Sequence, residues 1–443
     1  MAQWRTDFHD WKQPHNVTLF EATMLADQHG NIVSGANPSG VAVDAFGRAR
    51  MSTPLTLFDS SHRYRDNGLW STSNTAGATF EHSTNQGMVN LNLPTTADAE
   101  IIRETTKVFA YQPGKSLFVL NTFVPATPKA NLRQRIGYFG AENGIYFEID
   151  GTTAYFVERS YVTGYLVETR VAQTDWNMDN LLGPDVNLPG GVGPCPSGIL
   201  LDKSKAQIFW MDIEWLGLGS VRCGFVIDGK LIHCHTFHHA NRIASTYITT
   251  ASLPLRYEIK NTGTTASVST LGQVCSTVIS EGGYELRGLQ QAIGIPIQSP
   301  RTLGTSGTFY PVIGLRLKST RLDAIAILTA LSVMPITTGA FNWQVRASGT
   351  ITGGTWTSAG TDSGVEYNIT GTSYTDGRIL ASGFFSASNQ GTTQIDILKE
   401  ALFKFQLERN GLTSTPYELT LVVASNGADD TVVASIDWEE ISR

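Results

Sequence analysis

Two carboxylates stand two residues apart in the run Trp210-Met211-Asp212-Ile213-Glu214. Side chains on a strand alternate between faces with a period of two, so Asp212 and Glu214 would point the same way. Carboxyls held about 5–5.5 Å apart are what retaining glycoside hydrolysis needs, one as nucleophile and one as acid/base. A second cluster lies nearby in His233-Cys234-His235-Thr236-Phe237-His238-His239, which holds four of the nine histidines. On a regular strand His233, His235 and His239 share a face and Cys234 and His238 take the other. Imidazoles two apart on one strand can bind Zn²⁺ or Ni²⁺ when a further ligand arrives from elsewhere. The plainer alternative is a hydrogen-bonded stripe in a sheet or at a subunit contact, where a symmetry axis would make it pH-sensitive.

Other patterns are weaker. Gly114-Lys115-Ser116 lacks the glycine that a phosphate loop needs five positions earlier, where Phe109 stands. No Gly-x-Ser-x-Gly elbow occurs. Asp179, Asp185 and Asn187 offer oxygens to Ca²⁺ but without EF-hand spacing. Trp176, Tyr161, Tyr165 and Trp215 fall at loops or strand ends and are candidates for a glycan-stacking platform, or simply for covering a core edge. No cofactor or metal is expected. Against the Glu-x-Asp-x-Glu strand of laminarinase-like jelly-roll glycosidases, Trp210 occupies the first glutamate position, so the nucleophile is missing. The chain is therefore read as no enzyme, and Asp212 and Glu214 as facing solvent or a neighbour.

The elements that must position these residues are strands. Arg103 to Ala110, Ser116 to Phe123 and Leu132 to Phe139 are rich in β-branched and aromatic residues. Two Asp-Gly pairs between apolar alternations predict type I′ hairpins. Asp150-Gly151 joins 145–149 to 152–157, and Asp228-Gly229 joins 223–227 to 230–235. Asp175 to Gly198 reads as a long, proline-rich loop. Later strands are expected at 312–317, 324–333, 341–347, 365–369, 379–385, 418–424 and 435–441. The only helical pattern of any length is Ile395 to Lys404.

The sequence is thus expected to be all-β. It has an irregular docking arm over 1–50, a concanavalin-like jelly-roll sandwich over 51–305, and a smaller β-sandwich domain over 306–443. Pro300, Gly304, Ser306 and Gly307 mark the seam. The length, 443 residues, suits two to four domains at roughly 100–200 residues each.

Composition narrows the function classes. Charged residues are 16%, against a usual ~25%. Net charge is −7 with no basic block, so nucleic acid is not an expected partner. The longest apolar stretch, Ala324 to Met334, is too short to span a bilayer, and the start Met1-Ala2-Gln3-Trp4 has no signal-like apolar region. No membrane insertion is expected. Cys195, Cys223, Cys234 and Cys275 form no C-x-x-C pair and are expected as free thiols of a chain made in a reducing cytoplasm.

Several longer runs resemble a family of tailed-phage virion structural proteins. They are Gln207 to Gly217, Val221 to Gly229, Leu253 to Ile259, Ser280 to Glu285, Gly314 to Lys318 and Asp437 to Ile441. The resemblance spans about residues 90–443 and carries over no catalytic residue. It implies a multimeric β-sandwich protein on the exterior of a virion, as capsid decoration or a tail-associated component. Partners would be further copies of itself, as a homotrimer, and capsid or tail proteins. Two alternatives stand beside this reading: a receptor-binding fibre that recognises host surface glycans, and a glycosidase or depolymerase.

Overall fold

A computed structural model describes residues 53–184, 194–387, 393–394 and 405–442. The expected arm over 1–50, the helix over 395–404, and Asp185 and Asn187 lie outside the described residues.

Fifteen strands build the first half. They are β1 (Leu55–Ser61), β2 (Trp70–Thr75), β3 (Thr79–Ser83), β4 (Met88–Leu93), β5 (Glu100–Thr105), β6 (Leu117–Val124), β7 (Leu132–Phe139) and β8 (Gly144–Asp150). Then follow β9 (Thr153–Ser160), β10 (Val167–Ala172), β11 (Gln207–Ile213), β12 (Val221–Ile227), β13 (Lys230–Phe237), β14 (Leu255–Asn261) and β15 (Ser269–Ser280). One antiparallel sheet runs β13-β12-β11-β6-β15-β4-β3, with β1 also on β15; the other runs β10-β9-β8-β7-β14-β5-β2. The two pack face to face as a concanavalin-like jelly roll, because the strands alternate. In β6, Leu117, Val119, Asn121 and Phe123 are buried and the residues between them are not. Phe147 and Phe156 from one sheet meet Phe209 and Phe225 from the other at centroid distances of 5.1–6.0 Å.

The second half contains β16 (Leu289–Gly294), β17 (Arg301–Leu303), β18 (Tyr310–Leu317), β19 (Ile325–Pro335), β20 (Ala340–Thr352), β21 (Thr357–Ser358) and β22 (Val365–Asn368). It continues with β23 (Ser373–Ser386), β24 (Thr393–Gln394), β25 (Arg409–Asn410), β26 (Thr415–Pro416), β27 (Glu418–Ser425) and β28 (Asp430–Ser442). Its sheets run β16-β28-β19-β24, with β17 also on β28, and β21-β22-β18-β27-β20-β23. The chain changes sheets between Ser280 and Leu289. The turn-rich seam near 305 falls later, inside the second sandwich, because β16 and β17 pair with the last strand, β28.

Both hairpins form, with different turns. Asp228 and Gly229 both have positive φ, as a type I′ turn requires. In the other hairpin Asp150 pairs with Thr153, so Gly151-Thr152 are the central residues and Gly151 alone has positive φ, the requirement of a II′ turn. That corrects the expected Asp150-Gly151 turn by one position. The strand expected over 103–110 ends at Thr105. Beyond it the backbone bonds elsewhere: Thr106 O accepts from Arg409 N–H, and Val108 O accepts from the Gln406 amide. No α-helix occurs among the described residues, and none there is long and apolar enough to cross a membrane.

Candidate functional site

The carboxylate pair sits at one end of the β13-β12-β11-β6 sheet. Phe209, Met211 and Ile213 face the core, so Trp210 and Asp212 face outward. β11 stops at Ile213, which leaves Glu214 at the start of the turn to β12. There its Oε2 accepts the Ser220 N–H at 3.3 Å. Trp210 is opposite Gly224, where a side chain would have its Cβ 1.9 Å from Ile232 O and 2.9 Å from the indole; the missing side chain is what lets the ring lie flat on the sheet.

Asp212 is buried and ion-paired to Arg222, its cross-strand partner on β12. Burial raises the Asp212 carboxyl above its ordinary value; Arg222 pulls the other way and the nearby Glu281 charge adds to the rise. Ser116 donates to Glu281 at 2.7 Å.

Asp212, Glu214, Ser220 and Arg222 line an open cleft of about 690 Å³. Tyr111, Lys115 and Ser116 come from the segment entering β6, Thr236 and His238 from the end of β13, and Leu216 from the turn after β11. The turn is held from beneath: Tyr111 Oη accepts the N–H groups of Trp215 and Leu216 at 3.3 and 3.2 Å. Leu216 takes φ +41°, a rare backbone state for a branched side chain, and leaves its apolar side chain exposed. Nothing in the sequence pattern marked Tyr111, and Lys115 and His238 stood in patterns that pointed to other chemistry; they reach the cleft from two segments, one entering β6 and one leaving β13.

The histidine stripe is not one face. A β-bulge at Cys223/Gly224 inserts Cys234 as an extra residue, so His233 faces Gly224 and His235 faces Cys223. His233 turns outward beside Trp210 at 5.9 Å, while His235 turns inward beside Phe156 at 6.3 Å. His239 is held elsewhere, between Glu158 (2.7 Å) and the Gly219 carbonyl, with its ring stacked 3.9 Å from Tyr247. Among the described residues no group of three or more His, Cys, Asp or Glu side chains is arranged to hold a metal. Asp179 is buried, and its two oxygens accept the N–H groups of Leu181 and Ser197, closing the ends of the long loop.

The four aromatics also separate. Trp176 is fully buried, stacked 4.1 Å from Phe156, with its N–H donated to Val171 O. It is core and offers no platform. Trp215 is half-buried, edge-on to Tyr111 at 5.6 Å. Only Tyr161 and Tyr165 are exposed, at the tip of the β9–β10 hairpin with Leu166 and Val167. The four cysteines are free; burial raises the thiols of Cys223 and Cys234.

No family model and no curated protein matches the sequence. Solved structures with similar folds include a β-glucanase of Bacillus licheniformis, 14% identical, covering 51% of this chain and 97% of its own at a TM-score of 0.32. The CBM2 module of the evolved Dit of Lactobacillus casei BL23 phage J-1 is 8% identical over 53% of this chain and 100% of its own, TM-score 0.31. A carbohydrate esterase of the Shiga toxin-encoding bacteriophage phi24B is 9% identical over 52% and 99%, TM-score 0.28. The structures similar to this chain thus include phage proteins and jelly-roll glucanases, each matching about half of it.

Proposed function

We propose that this chain is a structural component of the exterior of a tailed-phage virion, made in the host cytoplasm and acting by assembly with itself and with capsid or tail proteins. The observation that carries this reading is β23. It is a 14-residue strand with one ladder neighbour among the described residues, and it leaves Ile379 and Phe384 53% and 78% exposed. A long edge strand with apolar side chains in water is a pairing liability unless another chain covers it. The runs that resemble virion structural proteins support the same role. The role is non-catalytic: Trp210 stands at the position a nucleophilic glutamate would need, and Asp212 is tied to Arg222.

Light scattering on the purified full chain tests the reading. A stable multimer, with a trimer expected, supports it. A monomer at micromolar concentration, or a map of the whole particle without this density on its exterior, overturns it. Release of reducing sugar from host polysaccharide would replace it with the depolymerase alternative.

A further inference from the structure

We infer that the cleft at Asp212 and Glu214 binds a neutral hexose oligosaccharide, a function beyond assembly that does not depend on it.

The charge pattern points there. Of the fixed charges lining the cleft, two are cationic (Lys115, Arg222) and two anionic (Asp212, Glu214). A phosphate or sulfate would face the two carboxylates, and a cation would face the lysine and arginine. A ligand that both donates and accepts at closely spaced points meets all four groups favourably, and vicinal hydroxyls do this. The Ser116 and Thr236 hydroxyls add further polar points, although Ser116 donates to Glu281 and His233 Nε2 lies 2.8 Å from Thr236 Oγ1. Tyr111 and the exposed Leu216 supply an apolar wall for the C–H face of a sugar ring.

The site is also held rigid. The Asp212–Arg222 pair is set by strand register, Glu214 by the Ser220 N–H, and Leu216 by Tyr111 Oη. Little main-chain freedom is left to lose on binding, which favours affinity. The volume, about 690 Å³, falls within the range of small-ligand sites, roughly 300–1,000 Å³.

Saturation-transfer NMR and calorimetry on the full chain test this with four probes: the neutral hexaoses of glucose, galactose, mannose and N-acetylglucosamine. A sulfated hexaose serves as the charged comparison. At least one neutral probe is expected to bind, with Kd on the order of 0.1–1 mM. Glu214→Gln changes an exposed side chain and is expected to weaken it about tenfold or more with unchanged thermal unfolding. Arg222→Gln is expected to weaken it as much, and also to lower the unfolding temperature because buried Asp212 loses its cation. Tyr165→Ala should leave binding intact. The inference is overturned by silence from all four neutral probes, by tighter binding of the sulfated one, or by affinity that survives both cleft variants. Binding lost in Tyr165→Ala would move the site to the β9–β10 hairpin and overturn it equally. The oligomeric state, measured separately, reports on the assembly reading alone.

Discussion

The first sandwich centres its core on a cluster of stacked rings, while the second is mainly aliphatic around Phe341, Trp343 and Trp438. Phe147, Phe156, Phe209, Phe225 and Trp176 fill the centre of the one, while Val312, Leu315, Leu328, Val333, Leu421 and Val423 do so in the other. Every histidine of the described residues, and every cysteine of the chain, lies before residue 276; the second sandwich has none of either. Their outer faces differ as well. On the β8 side of the first sandwich, Tyr146 and Glu148 alternate with core residues and so face away from the core, yet both are fully buried. They are covered by arginines. Arg135 pairs with Glu148 at 2.6 Å and with Glu168 and Glu258 at 3.3 and 3.5 Å, and lies 5.3 Å from the Tyr146 ring. Arg159 covers both Phe139 and Tyr146. The second sandwich instead leaves Ile379 and Phe384 of the outer strand β23 exposed. The lesson is a division of labour: one sandwich carries the titratable chemistry and the cleft, and the other an outer strand with one ladder neighbour among the described residues.

The comparison can be broken first at its ionic layer. Arg135→Ala takes one of two cations from buried Glu148, which keeps Arg170, at a cost of about 1.5–3 kcal/mol. Chemical denaturation should show this loss in the first sandwich. If stability falls by less than about 1 kcal/mol, the layer is decoration and the contrast fails.

Acid should separate the two sandwiches next. His62 and His235 are buried, and burial lowers both to about 4 from 6.5. Between those values the unfolded chain binds more protons than the folded one. Their contribution is therefore intact above pH 6.5 and lost as pH falls towards 4, by up to about 3 kcal/mol each. Calorimetry from pH 7 to 4.5 should show a steeper fall in the first sandwich, flattened by His62→Gln and His235→Gln. His239 has the opposite sign. Burial opposes its charge, but the Glu158 and Gly219 contacts outweigh this and raise its pKa. Its contribution is full below 6.5 and lost as pH rises through the raised value, so His239→Gln should matter more at pH 6 than at pH 9.

Gly224→Val should cost roughly 1–3 kcal/mol by pushing Ile232 O and the Trp210 ring apart. It should also weaken sugar binding, because Trp210 and Asp212 share β11. The smallest effect on the fold belongs to the edge: Phe384→Asp should change stability by no more than about 0.5 kcal/mol. If β23 mediates assembly, the same change lowers the oligomeric state seen by light scattering. An unchanged multimer would move the interface elsewhere.

Much of the fold was legible in the sequence because strand alternation and turn chemistry are local. The bounds of β7 match the expected Leu132 to Phe139, and the Asp228-Gly229 turn forms as its residue types demand. The apolar run at 324–334 is β19, a strand flanked by β28 and β24. β23 was legible only over 379–385. Its first half, Ser-Tyr-Thr-Asp-Gly-Arg, has turn-like composition and is drawn into the ladder by pairing with β20. The site was half legible. Asp212 and Glu214 do share a cleft, but the residues facing them arrive from positions about 100 residues earlier and about 20 later.

By itself, then, the sequence determined that the chain would be strands joined by tight turns, and which neighbouring residues would alternate. Burial and pairing with distant segments decided the rest. Trp176 became core because Phe156 and Phe225 stack on it across the sandwich. His233 and His235 parted because the bulge belongs to the pair of strands β12 and β13, and a period of two read along one strand cannot register a residue added against its neighbour. Asp212 gained its arginine by cross-strand register, which one strand alone does not specify.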